Sequence, residues 1–182
     1  EVDDASVAKI DADGKLKPLK AGKFKVTGTA ENGKSDSAEC TVSSVAVSDV
    51  FESSTAVLTK YKGSDKDVAI PVSINGTAIN SIEVGAFSYC QSLESIEIPS
   101  GVMSIGGGAF AFCRSLLSIE IPISVNFIGG YAFEDCSNLV NINWPVGITI
   151  INERTFANCD SLINIKIPSG VKCIGKEAFY CC

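Results

Sequence analysis

A 23-residue step runs through the C-terminal two thirds of this chain, and any fold assigned to it must respect that step. Ala86-Phe87-Ser88-Tyr89-Cys90 returns as Ala109-Phe110-Ala111-Phe112-Cys113 and as Ala132-Phe133-Glu134-Asp135-Cys136. It returns twice more, as Thr155-Phe156-Ala157-Asn158-Cys159 and Ala178-Phe179-Tyr180-Cys181-Cys182. Leu93, Leu116, Leu139 and Leu162 keep the same step, as do Pro99, Pro122, Pro145 and Pro168. So do Ile82, Ile105, Ile128, Ile151 and Ile174. A fixed period of this length marks units that cannot bury an apolar face alone and must stack on copies of themselves.

Each unit carries its own instructions. Leu93-x-x-Ile96-x-Ile98 alternates apolar and polar toward its end, as a short strand with one buried face does. Pro99 stops it, because proline cannot donate to a continuing ladder. Ala-Phe-x-x-Cys-x-x-Leu spaces apolar groups by three, which predicts one or two helical turns on the other side of the coil. Gly106, Gly129 and Gly175 precede that turn, where a tight corner with positive φ is expected. The predicted fold is mainly β with short helical turns: a solenoid of coils ~4.8 Å apart, with Phe87, Phe110, Phe133, Phe156 and Phe179 in one file.

Composition supports a packed core and excludes several functions. Of 182 residues, 46% are hydrophobic and 20% charged, which is globular rather than disordered. No apolar run approaches the ~20 residues of a transmembrane helix, so no membrane insertion is expected. The net charge of −6 argues against nucleic acid, whose affinity rests on Lys and Arg at phosphates. The complete lack of histidine removes Ser-His-Asp and Cys-His catalysis and His-containing zinc sites. Charge is also uneven: residues 1–47 hold eight acids and seven lysines, whereas residues 67–182 hold ten acids and five bases. A boundary is expected near residue 48.

The repeat columns resemble BspA-type leucine-rich repeats, with pattern Ile-x-x-Ile-Gly-x-x-Ala-Phe-x-x-Cys-x-x-Leu-x-x-Ile-x-Ile-Pro carried by residues 67–182. In the fourth unit Asn152 replaces the glycine and Thr155 the alanine. Asn143-Trp144 stands where other units have Glu-Ile or Lys-Ile, and the bulk of Trp144, in the inward column of Ile98, Ile121 and Ile167, should distort its coil. Upstream, Ala56–Tyr61 and Asp67–Pro71 are expected as two strands around Lys62-Gly63-Ser64-Asp65. With residues 48–66 as connector and hairpin, they would form a cap and an atypical first coil. The step from Pro71 to Ile79 exceeds that from Pro99 to Val102 by five residues. Residues 1–47, with Ser6-Val7-Ala8-Lys9-Ile10, the turn Asp11-Ala12-Asp13-Gly14 and a second turn at Glu31-Asn32-Gly33-Lys34, resemble the second half of a bacterial Ig-like group 2 domain. That makes them a partial β-sandwich segment.

The chain is expected to be cut from a longer polypeptide at both ends. Glu1-Val2-Asp3-Asp4 is acidic where a secretory leader is basic and then apolar, so the extracellular or cell-surface location that the resemblance implies needs a leader removed or lying elsewhere. The last coil should expose Ile174 and Phe179, inviting end-to-end self-association.

Other motifs have plainer explanations. Cys90, Cys113, Cys136, Cys159 and Cys182 share one column and are expected as buried thiols, with Cys40 also buried and Cys181-Cys182 the site most open to oxidation. Gly106-Gly107-Gly108-Ala109-Phe110-Ala111 matches a dinucleotide fingerprint, yet sister units at the same place show it to be a repeat corner. Lys9 and Lys20 stand where a calcium loop beginning at residue 9 would need acids. Asn75-Gly76-Thr77 is a glycosylation sequon. Glu97 and Glu120, one coil apart, could imitate a glycosidase pair, but on an open strand they lack a pocket; no enzyme, cofactor or metal is expected.

Function is expected on the variable strand positions Ser95, Glu97, Ser118, Glu120, Asn141, Asn143, Asn164 and Lys166, which grade from acid through amide to base. The resemblance implies a surface protein that adheres to host matrix or plasma proteins or to other microbes. The alternative is a structural spacer that projects other domains.

Overall fold

The computed structural model describes residues 8–10, 16–18, 22–29, 35–42, 50–163 and 165–182. The chain divides into two compact units, Glu1–Val50 and Phe51–Cys182. The first contains two antiparallel pairs: β1 (Ala8–Ile10) with β2 (Leu16–Pro18), and β3 (Gly22–Thr29) with β4 (Ser35–Val42). The turns expected at Asp11–Gly14 and Glu31–Lys34, and the side chain of Cys40, lie outside what is described.

The second unit is a β-solenoid. It opens with β5 (Phe51–Ser54) and β6 (Val57–Tyr61), paired antiparallel through Thr55 and Ala56, both at positive φ. Two positive-φ residues give the twist that joins adjacent strands. β7 (Asp67–Ala69) follows, then the small hairpin β8 (Ser73–Ile74) and β9 (Thr77–Ala78), then β10 (Ser81–Ile82). Later coils contribute strands in alternation. On one side lie β11 (Ser95–Glu97), β13 (Ser118–Glu120) and β15 (Asn141–Asn143). On the other lie β12 (Ser104–Ile105), β14 (Phe127–Ile128), β16 (Ile150–Ile151) and β17 (Cys173–Ile174).

The strands assemble as parallel ladders, β15-β13-β11-β7 on one side and β14-β12-β10-β6 on the other, with β5 on the outer edge of β6. The two strands expected around Lys62–Asp65 are present, but they do not pair with each other. Residues 57–61 and 67–69 lie in different ladders, because Leu58 registers with Ile82 and Val68 with Ile96. Residues 62–65 are therefore the turn of a first coil that crosses the core, and the hairpin forms one strand earlier. The five additional residues after Pro71 accommodate the β8–β9 hairpin, whose Asn75-Gly76 turn has φ of 51° and 79°.

The core is a set of files. Ile82, Ile105, Ile128 and Ile151 are buried, as are Leu93, Leu116, Leu139 and Leu162. Phe87, Phe110, Phe133, Phe156 and Phe179 stack with centroids 5.1, 5.5, 5.3 and 5.5 Å apart. Tyr61 and Phe51 extend the file at 5.2 Å each. Each full burial of such a ring contributes about 1.5–3 kcal/mol, and offset stacking adds specificity.

The cysteine column forms a second ladder. Cys113, Cys136 and Cys159 are buried free thiols whose Sγ donate to the carbonyls of Phe87, Phe110 and Phe133 at 3.1, 3.2 and 3.1 Å. Burial pushes the Cys136 thiol up to about 12.

The short helical turns are tight turns closed by i+3→i bonds, such as Ser88 N to Gly85 O and Cys90 N to Phe87 O. Left-handed residues at each end prevent their growth into helix: Gly85 and Tyr89, Gly108 and Phe112, Tyr131 and Asp135, Arg154 and Asn158, Glu177 and Cys181. Gly106, Gly129 and Gly175 are not among the positive-φ residues, which corrects the expectation for that corner. Their requirement is close approach. A Cβ would stand 2.5 Å from the backbone nitrogen of Val84, Gly107 and Glu153 respectively, in the neighbouring coil.

Candidate functional site

The alternation that builds β11, β13 and β15 buries Ile96 and Ile119, half-buries Ile142, and turns the flanking residues outward. In register, Ser95 sits beside Asp67, Glu97 beside Glu120, Ser118 beside Asn141, and Glu120 beside Asn143. Six of the eight expected site residues thus share one ladder at roughly 4.8 Å spacing. Asp67 joins them, a position that its match to the later Ser-Ile-Glu-Ile-Pro phrases could have revealed.

Ser95 Oγ donates to Asp67 Oδ1, and Asn143 Oδ1 accepts from Ile121 N at 2.8 Å. At the margin Lys66 donates to Glu94, and this hydrogen bond raises the lysine's pKa. Glu97 and Glu120 are exposed and take part in no ion pair among the described residues. The result is an acidic-to-amide surface on which both carboxylates are exposed.

Lys166 and Asn164 fall differently. Asn164 lies outside the described residues, and residues 165–167 form no strand. Ile167, expected inward beside Ile98 and Ile121, is 39% exposed. In the preceding coil Trp144 occupies that inward column and packs edge-on against Phe156 at 5.4 Å, with its Nε1 buried and without a hydrogen-bond partner among the described residues. The preceding coil thus holds an indole where its neighbours hold isoleucine. The base at the end of the expected gradient is exposed but does not continue the ladder.

Two outer columns went unanticipated. The residue before the isoleucine file runs Ser81, Ser104, Phe127, Ile150, Cys173; Ser81 and Ser104 hydroxyls bond at 2.7 Å, and Phe127 and Ile150 are about half exposed. On the turn side Tyr89 stacks on Phe112 at 4.5 Å, while Arg154 lies over Tyr131 and Tyr180 and pairs with Glu134 and Glu177 at 3.6 and 3.3 Å. Among the described residues no helix is long and apolar enough to cross a membrane. No group of three or more His, Cys, Asp or Glu is placed to hold a metal there.

This arrangement of coils, ladders and stacked rings defines a leucine-rich-repeat solenoid. The profile of the BspA type leucine rich repeat region matches residues 71–182 in six copies, and the chain belongs to that family. Among solved structures, the chain is similar to a T. pallidum leucine rich repeat protein at 25% identity, covering 65% of this chain and 77% of that one, TM-score 0.46. A leucine-rich repeat protein from Bacteroides ovatus matches at 28% identity over 64% of this chain and 34% of its own, TM-score 0.48. The pneumococcal vaccine antigen PcpA matches at 19% identity over 89% of this chain and 48% of its own, TM-score 0.56, a likeness of fold. No curated protein matches the chain. Solenoids of this class generally present extended surfaces that bind other proteins.

Proposed function

We propose that the chain is a non-enzymatic cell-surface binding module whose outer β7–β11–β13–β15 face contacts a protein ligand, such as a host matrix or plasma protein. The observation that carries this reading is the ladder Asp67, Ser95, Glu97, Ser118, Glu120, Asn141 and Asn143, held on rigid coils with Glu97 and Glu120 lacking ion-pair partners among the described residues. A rigid surface with charges available for pairing favours a partner with a complementary basic patch. Lys166 and Asn164 belong to the proposed site only as neighbours in sequence. In the same reading, residues 1–47 are part of a bacterial Ig-like group 2 domain.

A binding screen of the full chain against matrix and plasma proteins tests this. The Glu97→Lys/Glu120→Lys pair should lower affinity at least about tenfold for whichever protein binds. Equal binding by the double variant removes the strand-face site, and no specific binder returns the chain to the role of spacer.

A further inference from the structure

A second surface, outside the strand face, is concave. Beneath the turn of the first coil lies a cavity of about 320 Å³, lined among others by Tyr61, Lys62, Asp65, Tyr89 and Gln91. That volume is at the lower end of the range that holds small ligands.

Repeat register explains why the space is there. Tyr61 occupies the Phe87 position, since their rings stack and Tyr61 N bonds to Ala86 O as Phe87 N bonds to Ala109 O. Gly63 therefore occupies the position of Tyr89 and Phe112 in the outer file. Where two successive coils supply a ring, the first supplies none. It cannot readily supply one, because a Cβ on Gly63 would meet Tyr61 Oη at 2.3 Å. That phenol is fixed: it donates to Asp65 Oδ2 and accepts from Asp65 N, each at 3.2 Å.

The outer stack consequently has one closed and one open end. Arg114 sits over Phe112, 5.9 Å from the ring centroid, and Phe112 and Tyr89 lie within 6° of parallel. Tyr89 is 64% exposed and lines the cavity, whereas Phe112 does not. The free face of Tyr89 is the wall against which a further ring would stack.

The geometry points to a neutral pyranose, the terminal ring of a saccharide, as the occupant. A pyranose has a face of C–H bonds, slightly positive, that suits the negative face of a tyrosine ring. Its rim carries hydroxyls that donate and accept, matching the Asp65 carboxylate, the Gln91 amide and the hydroxyls of Ser64 and Ser92. A phenyl ring would stack equally well but leave those polar groups facing a hydrocarbon edge, a desolvation without return. A cation would suit Tyr89 and Asp65, yet the Lys62 ammonium, itself paired with Glu52 at 3.5 Å, lines the same cavity and opposes it. One acid and one base in the lining favour an uncharged guest.

The test is titration of the full chain with methyl glycosides of glucose, galactose and N-acetylglucosamine, followed by amide chemical shifts, with a glycan array for longer ligands. At least one glycoside should shift Tyr89, Gln91 and their neighbours, with Kd of about 1 mM as befits a single ring. Tyr89→Ala should weaken this about tenfold, Gln91→Ala about threefold, and Tyr89→Phe less than threefold because the stacking face survives. Tyr131→Ala and Glu97→Lys/Glu120→Lys should leave it unchanged, which separates this site from the strand face. Should Tyr89→Ala fail to fold, Gln91→Ala and Tyr89→Phe carry the test. No glycoside binding, binding unaltered in Gln91→Ala together with either Tyr89 variant behaving as its opposite, or preference for N-acetyltyrosinamide or arginine over every sugar would overturn the assignment.

Discussion

The second and third coils and the fourth share a repeat pattern but not a backbone. Around Ile105 and Ile128 the ladders are continuous: Gly106 N donates to Ile82 O and Gly129 N to Ile105 O, at 2.8 and 2.9 Å. In the fourth coil Asn152 takes the glycine's place, and its side-chain Nδ2 donates to Ile128 O at 2.6 Å. There the ladder divides, leaving β16 and β17 as a separate pair. On the other side the sheet ends at β15, which Trp144 follows where other coils have isoleucine. The aromatic file nevertheless runs through unbroken, with Phe133, Phe156 and Phe179 at unchanged spacing. The lesson is that side-chain stacking sets the coil repeat, while strand pairing tolerates local replacement.

The largest expected effect comes from breaking what the coils have in common. Phe133→Ala removes a fully buried ring stacked on both faces, and should cost about 3–5 kcal/mol in denaturant unfolding. Next comes the column in which the coils differ. Gly129→Ala forces a Cβ onto the backbone of Gly107 and should cost about 3 kcal/mol. Asn152→Gly exchanges a side-chain bond for room to restore a backbone one, and should change stability by less than about 1 kcal/mol. Equal losses for the two would remove the close-approach argument.

The buried thiols give a pH dependence. Cys136, raised by burial from 9.0 to about 12, is held protonated in the fold, so its contribution is complete below pH 9.0. It declines as pH rises toward the folded value, at about 1.4 kcal/mol per pH unit. Cys136→Ala should flatten the fall in stability between pH 9 and 11, and a thiol reagent at pH 8 should modify exposed Cys173 and Cys181 well before Cys113, Cys136 and Cys159. The smallest effect sharpens the fourth coil. Trp144→Ile should raise hydrogen-exchange protection of residues 165–167 with a stability change of about 1 kcal/mol, since the variant loses ring burial but also a buried N–H without a partner among the described residues.

The repeating core was legible because its columns recur at one period, and Phe87 through Phe179 stand as that period requires. So was the trouble in the fourth coil, since Asn143-Trp144, Asn152 and Thr155 are visible departures. The form of that trouble was not, because whether an asparagine side chain stands in for a backbone amide depends on inter-coil distance. How the strands of the first coil pair was not legible for a related reason. Two short alternating strands around Lys62–Asp65 look alike whether they pair with each other or with different neighbours, and only register with Ile82 and Ile96 decides. Of the strand face, Ser95 to Asn143 follow from alternation alone. Lys166 depended on a strand that residues 165–167 do not form.

The account rests on rings from successive coils lying face to face, and nuclear Overhauser effects between selectively labelled phenylalanines test that directly. Centroids 5.1–5.5 Å apart predict cross-peaks linking Phe87 to Phe110, Phe110 to Phe133, Phe133 to Phe156 and Phe156 to Phe179. Absence of this sequence of contacts in the folded chain, or contacts that skip a coil, would contradict the solenoid and every surface derived from it.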